Sequence, residues 1–253
     1  MMDQDSTLLV VAHPGHELRL HGWIERARPM VAVITDGSGG AGVPRLEATR
    51  GLLAKLGARP APLFGPCTDR ELYAAAMEGD LVFFQRLLDG IRASAVACGA
   101  TRLVSDAAEG FNPAHDLCHH LAAMVAEEEG LEHFDFPLEA RPDACPQELA
   151  HQSHVLRLDE AALARKRAAV ESYTELQEEL ARADSEIGFA AFGLERLRPA
   201  AASRLEAGRR TGPPYFEIHG ERMVAEGRYR EVLKESAHLE PLLARLRMVP
   251  VRA

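Results

Sequence analysis

The apolar positions of this chain come in two patterns that alternate. Short unbroken runs read as buried strands: Leu8-Leu9-Val10-Val11-Ala12, then Met30-Val31-Ala32-Val33-Ile34-Thr35, then Thr101-Arg102-Leu103-Val104-Ser105-Asp106. Ala61-Pro62-Leu63-Phe64 predicts at best a short strand, and Leu131 to Leu138 and Val155 to Leu158 predict two more. Between them the spacing becomes helical. Leu18, Leu20, Trp23 and Ile24 open the first helix, and Pro44 to Gly57 carries Leu46, Leu52, Leu53 and Leu56 with Gly57 as its stop. Thr68 to Met77 gives a weak helix, and Glu78 to Cys98 a strong one with Leu81, Phe84, Leu88, Ile91 and Ala95 on one face. Asn112 and Pro113 open a further helix over Leu117, Leu121, Met124 and Val125. Strand and helix in alternation predict the α/β class: a Rossmann-like, mainly parallel sheet with helices on both faces.

From about Asp159 the alternation stops. Asp159 to Glu179 predicts a long amphipathic helix with Leu163, Ala169, Val170, Tyr173 and Leu176 along its stripe. Gly188 to Pro199 is apolar and aromatic, Tyr215 to Tyr229 mixes aromatic and charged residues, and a last helix carries Leu239, Leu242, Leu243 and Leu246. The expected organisation is an α/β core over residues 1–158 and a mostly helical C-terminal extension over 159–253, packed on the core.

Composition narrows the function. The 253 residues are 47% hydrophobic, enough for a real core, and the net charge of −9 argues against a nucleic-acid binder. No window reads as a membrane span, and the first residues lack a basic, long-apolar signal segment, so a cytoplasmic protein is expected. Four scattered cysteines without a C-x-x-C spacing read as free thiols. Gly188 to Pro199 is apolar enough for a contact between identical subunits, and an intramolecular contact explains it equally well.

The chemistry gathers at strand ends. The first strand stops at His13-Pro14-Gly15, followed by His16 and Glu17. Two imidazoles and a carboxylate at the carboxyl end of a central strand suggest a metal site, because open α/β sheets bind ligands there. Asp36 leaves the second strand on the same rim and can position a ligand by hydrogen bonding. The loop behind it, Gly37-Ser38-Gly39-Gly40-Ala41-Gly42, fits neither G-x-G-x-x-G nor a P-loop. The fourth strand runs into a second cluster: Asp106, Glu109, His115, Asp116, His119 and His120, the last four in the first turns of a helix.

These motifs resemble the LmbE-like, or PIG-L, N-deacetylase superfamily. Its members open with Ala-His-Pro-Asp-Asp-Glu after a first strand, carry Thr-Asp-Gly after the second, and have a later His-x-Asp-His that opens a helix. The counterparts are Ala12-His13-Pro14-Gly15-His16-Glu17, Thr35-Asp36-Gly37 and Pro113-Ala114-His115-Asp116, and Lys166 to Tyr173 is similar to the family's late helix. The resemblance covers roughly the first 175 residues. It implies a zinc enzyme, with other divalent metals such as Fe2+ open, that removes acetyl groups from N-acylated amino sugars or related small molecules.

Carried over by position, the resemblance implies His13, His16 and Asp116 as metal ligands, an exchange of one Asp for His and one His for Asp. The family's general base falls on Gly15. Its replacement is expected among Glu17, Glu109, His115 and His119, first His115 and then Glu17, as the catalytic residue. Asp36, Glu109 and His119 are the expected substrate-binding residues. A metal enzyme of another reaction class, and a non-catalytic protein that binds a sugar-like ligand, are the alternatives.

Overall fold

In the computed structural model, residues 6–39, 42–173, 177, 181 and 185–249 are described. Seven strands form one sheet in the order β3-β2-β1-β4-β5-β7-β6. They are β1 (Thr7–Val11), β2 (Met30–Thr35), β3 (Arg59–Cys67), β4 (Arg102–Asp106), β5 (Glu132–Phe136), β6 (His154–Arg157) and β7 (Leu194–Pro199). The first five strands pair in parallel, while β7 runs antiparallel to both β5 and β6.

The period of two along each strand sorts its residues to opposite faces. Leu8, Val10 and Ala12 of β1 join Ala32 and Ile34 of β2 in one apolar cluster. Leu9 and Val11 join Val31 and Val33 in the other. The first cluster is completed by α3 (Asp69–Glu78), α4 (Leu81–Cys98) and α5 (Pro113–Glu129). The second is completed by α1 (His21–Ala27) and α2 (Leu46–Leu56), with Ala169, Val170 and Tyr173 packing from the segment around α6 (Glu160–Ser172). A sheet covered on both faces explains why its strands read as continuous apolar runs rather than alternating ones. The expected α/β class is therefore the observed one.

Several elements differ from the sequence reading. β3 spans nine residues rather than four, because it follows β2 through two register shifts that accommodate Pro60 and Pro62. The single helix expected over Glu78 to Cys98 begins only at Leu81, since Gly79 ends α3 in the left-handed region and Asp80 caps α4 through the N–H groups of Val82 and Phe83. Thr68 and Glu71 form a reciprocal capping box that makes α3 a firm helix. α6 ends at Ser172, and the expected continuation through Leu176 lies outside the described residues, as do Gly40 and Ala41 of the glycine-rich loop.

The C-terminal part is not purely helical. β7 inserts between β5 and β6, and three helices follow: α7 (Ala201–Arg209), α8 (Tyr215–Ala225) and α9 (Glu240–Met248). Leu242 and Leu246 of α9 pack into the first cluster beside α4. A buried ion pair between Arg198 and Asp135, 2.7 Å long, ties β7 to β5. No helix among the described residues is long and apolar enough to cross a membrane. The four cysteines are free, with Cys67 and Cys118 buried.

Candidate metal centre

The strand order reverses between β1 and β4, so the loops leaving these two strands part and open a crevice at their carboxyl ends. The loop after β1 is held rigidly. Gly15 has φ +108°, a conformation that L side chains rarely adopt. Its N–H donates to Glu17 Oε2 at 2.8 Å, and the other Glu17 oxygen accepts the Thr49 hydroxyl at 2.6 Å. Thr49 in turn meets the Tyr173 hydroxyl at 3.0 Å. Burial pushes the Glu17 carboxyl up, and the Thr49 and backbone hydrogen bonds partly offset it. Glu17 is wholly buried with both oxygens engaged, and it anchors the turn.

On this turn His13 and His16 meet His115 from the first turn of α5. The three rings pack edge to face with centroids 5.0, 5.2 and 4.6 Å apart. One side-chain nitrogen from each lies within 4.8 Å of the others, close enough for all three to bind one ion. Two neighbouring carboxylates orient the rings. Asp106, the last residue of β4, accepts at Oδ2 from His16 Nδ1 at 2.8 Å and from the Ala12 N–H at 2.7 Å. Asp69, the first residue of α3, lies 2.6 Å from His13 Nε2. A proton on each bonded nitrogen leaves Nε2 of His16 and Nδ1 of His13 as lone pairs, the arrangement carboxylates impose on metal-bound histidines. Nδ1 of His115 is buried with no partner among the described residues, an open position that an ion would satisfy.

Burial disfavours a charge on two of the three imidazoles, His16 and His115. Burial lowers His16 well below its ordinary value, helped by His13, Arg45 and Arg19. Burial lowers His115 similarly, followed by the charges of His16 and His13. Burial also pushes Asp106 up to about 7. At Asp69 burial acts upward, but the hydrogen bond and charge of His13, with the Gly39 N–H and the Thr35 hydroxyl, outweigh it and hold the carboxyl well below its usual range.

The other residues singled out in the sequence are placed differently. Asp116 does not face the two histidines of the first motif. Its Oδ1 accepts the Gly110 N–H at 3.1 Å, and its side chain lines a small cavity of about 170 Å³ with His119, His120, Arg210 and Glu235. Neighbouring residues on a helix point about 100° apart, so of His115 and Asp116 only one can face the crevice. Ala114, Leu117, Cys118 and Leu121 fix the helix on the sheet, and that packing turns residue 115 inward to the triad. Asp36 closes a local turn onto the Ser38 N–H. Glu109 accepts three N–H groups from Leu138, Glu139 and Ala140, pinning the loop after β5. His119 is buried, its Nδ1 3.2 Å from the Asp106 carbonyl, and burial lowers it to about 4.

Asp69 and Arg45 were not singled out in the sequence, and Asp106 was named in the second cluster without a role. Asp69 and Asp106 end or follow strands on the same rim as His13, and that shared edge was the available signal. Arg45 has a buried Nε without a partner among the described residues, and its charge acts on both His16 and Glu17.

No protein-family profile matches the chain, and no curated protein matches it. Solved structures do. One is the A40926 pseudoaglycone deacetylase Dbv21, at 17% identity and a TM-score of 0.51 over 78% of this chain and 97% of that one. Another is a triple mutant of a deacetylase of the teicoplanin biosynthetic pathway, at 16% identity and a TM-score of 0.57 over 77% of this chain and 97% of that one. At such identities the likeness is one of fold: the chain shares the α/β architecture of these deacetylases over most of its own length and nearly all of theirs.

Proposed function

We propose that this protein is a metal-dependent hydrolase that removes an acyl group, acetyl in the simplest case, from an N-acylated amino sugar or a related small molecule. The observation that carries this reading is the meeting of His13, His16 and His115 at the crevice of the sheet, two of them oriented by carboxylates and the third with an unpartnered buried nitrogen. Three imidazoles are a donor set of open catalytic zinc sites, which leave one position for water or substrate. The shared fold with two deacetylases supports the reaction class. The ligand set proposed is thus His13, His16 and His115, with Zn2+ as the metal and Asp116 outside it.

His13, His16 and His115 would hold a divalent ion, which would supply Lewis acidity toward an amide carbonyl and water. The chain's own groups do the rest. Asp106 and Asp69 hold His16 Nδ1 and His13 Nε2, so that both rings stay fixed in orientation. Glu17 sets the turn that carries both histidines, a positioning rather than a proton-transfer role. Arg45 places a guanidinium beside the triad, where it can stabilise negative charge developing on the carbonyl oxygen. Glu109 and Asp36 shape the two loops at the rim.

The test is a deacetylase assay on N-acetylated amino sugars, with metal content measured on the same preparation. Amine release that is lost in chelator and restored by zinc is expected. A metal-loaded protein that releases no amine from any of them would leave the ligand-binding reading, which Gly15 at the family's general-base position favours.

A further inference from the structure

The end of the sheet opposite the metal centre holds a cavity that the proposed reaction does not use. Thr7, Met30, Arg59 and Arg102, the residues that open β1 to β4, stand on its wall, and it encloses about 830 Å³. Cavities of this size hold small organic ligands. The five residues of β1 alone span about 16 Å between it and the turn that carries His13, so the two sites are separate. The lining divides by chemistry. Leu20, Trp23 and Leu156 supply an apolar wall, and Arg26, Arg28, Arg59 and Arg102 supply four guanidinium groups. Arg102 pairs with Glu132 at 2.8 Å. Arg26, Arg28 and Arg59 have no ion-pair partner among the described residues. The one carboxylate on the wall, Glu195, is already neutralised by Lys166 at 2.8 Å. A chain with a net charge of −9 thus gathers positive charge in one hollow.

A helix dipole favours cations in its last turn, and that accounts for Arg26 at the end of α1. It does not account for Arg59 and Arg102, which stand beyond the helices at the starts of strands. Nor does it account for the backbone of Arg28. This residue has φ +49°, the one positive φ outside glycine among the described residues. Glycine adopts that conformation freely and an L side chain does not. Backbone strain of this kind gathers at binding sites. The Arg28 side chain lies along Gly57, where a Cβ would come within 3.3 Å of its Nε. The chain therefore keeps an arginine where glycine would be the unstrained choice, and seats it on a glycine that leaves it room.

We propose that this cavity binds a nucleoside phosphate, with its phosphates on Arg28 and Arg59 and its base against the apolar wall. One molecule must meet both halves of the lining, multiply anionic at one end and flat and weakly polar at the other. Guanidinium groups match phosphate oxygens in pairs of parallel hydrogen bonds, which suits a phosphate better than a single carboxylate. At the far end of the strands from His13, the ligand is an effector and not a substrate of the metal centre.

The test is calorimetric titration of the full chain with ADP, adenosine and pyrophosphate. Chelator is present throughout, so that no metal can hold the phosphates and the outcome is independent of the hydrolase reading. ADP is expected to bind at least about tenfold more tightly than either adenosine or pyrophosphate, the size of one charge-assisted hydrogen bond or more. Arg28→Gly and Arg59→Gln are each expected to weaken ADP about tenfold. Glycine suits φ +49° and residue 59 is exposed, so both variants are expected to fold, which their melting temperatures check. Trp23 is the single tryptophan of the chain and lines the cavity, so its fluorescence is expected to change as ADP binds, which reports the place of binding. No binding of ADP, pyrophosphate binding as tightly as ADP, an affinity unchanged in either variant, or an unaltered Trp23 emission would overturn the proposal.

Discussion

The assignment of His115 rather than Asp116 to the metal is decided by comparing His115→Ala with Asp116→Asn. A ligand present at 100 times its dissociation constant stabilises the folded state by about 2.7 kcal/mol. For a chain of 253 residues each kcal/mol raises the melting temperature by about 2–4 °C, so zinc at that level shifts the wild type by roughly 5–10 °C. Losing a partner that merely orients a ligand weakens metal binding 10–100-fold, and losing a ligand costs at least the upper figure. At 100-fold weaker affinity the same zinc concentration equals the dissociation constant, and the stabilisation falls to about 0.4 kcal/mol, a shift of about 1–2 °C. Asp116 bonds to Gly110 and faces a separate cavity, so Asp116→Asn is expected to keep nearly the whole shift. The assay is thermal unfolding with and without zinc, each variant referred to its own chelator-treated state. A full zinc shift in His115→Ala, or its abolition in Asp116→Asn, refutes the three-histidine assignment.

Other substitutions probe the frame around the site. Gly15→Asp puts back the carboxylate that the resemblance leads one to expect, but φ is +108° there; a loss of about 1–2 kcal/mol of stability and no gain in amine release are expected, and an undiminished melting temperature would show that the turn relaxes. Lys166→Met leaves buried Glu195, which also caps α1 through the Gly22 and Trp23 N–H groups, without its ion-pair partner at 2.8 Å; denaturant unfolding is expected to register a loss of about 3–5 kcal/mol, and a loss under 1 would contradict it. Burial raises the Asp116 carboxyl from 3.8 to about 7, so the native state binds more protons than the unfolded state within that window and stability falls as pH rises through it. Asp116→Asn removes this slope, and its stability relative to wild type, measured in chelator, is expected to improve from pH 5 to pH 8 by at most about 3 kcal/mol; a pH-independent difference would refute the raised value.

Much of this protein was legible in its sequence because local rules govern it. The apolar runs of β1, β2 and β4 and the helical stripes between them specify a parallel sheet covered on both faces, since no other arrangement buries such runs. His13 and His16 follow a strand end directly, and the place of a strand end in an α/β sheet is general, so their position at the crevice was readable as well. Tertiary structure alone decided which of two adjacent residues on α5 faces the crevice, because the rotation of that helix is set by how Ala114, Leu117 and Cys118 pack on the sheet. It also brought Asp69 and Asp106, 37 residues apart in the chain, to two histidines of one turn from the ends of β3 and β4, which lie on opposite sides of β1, a meeting that depends on strand order. The strand β7 was hidden for a related reason. Its residues Leu194-Glu195-Arg196-Leu197-Arg198 carry buried charges, Glu195 and Arg198, whose partners Lys166 and Asp135 lie on α6 and β5, so the apolar pattern that marks a strand is broken by ion pairs only the fold can supply.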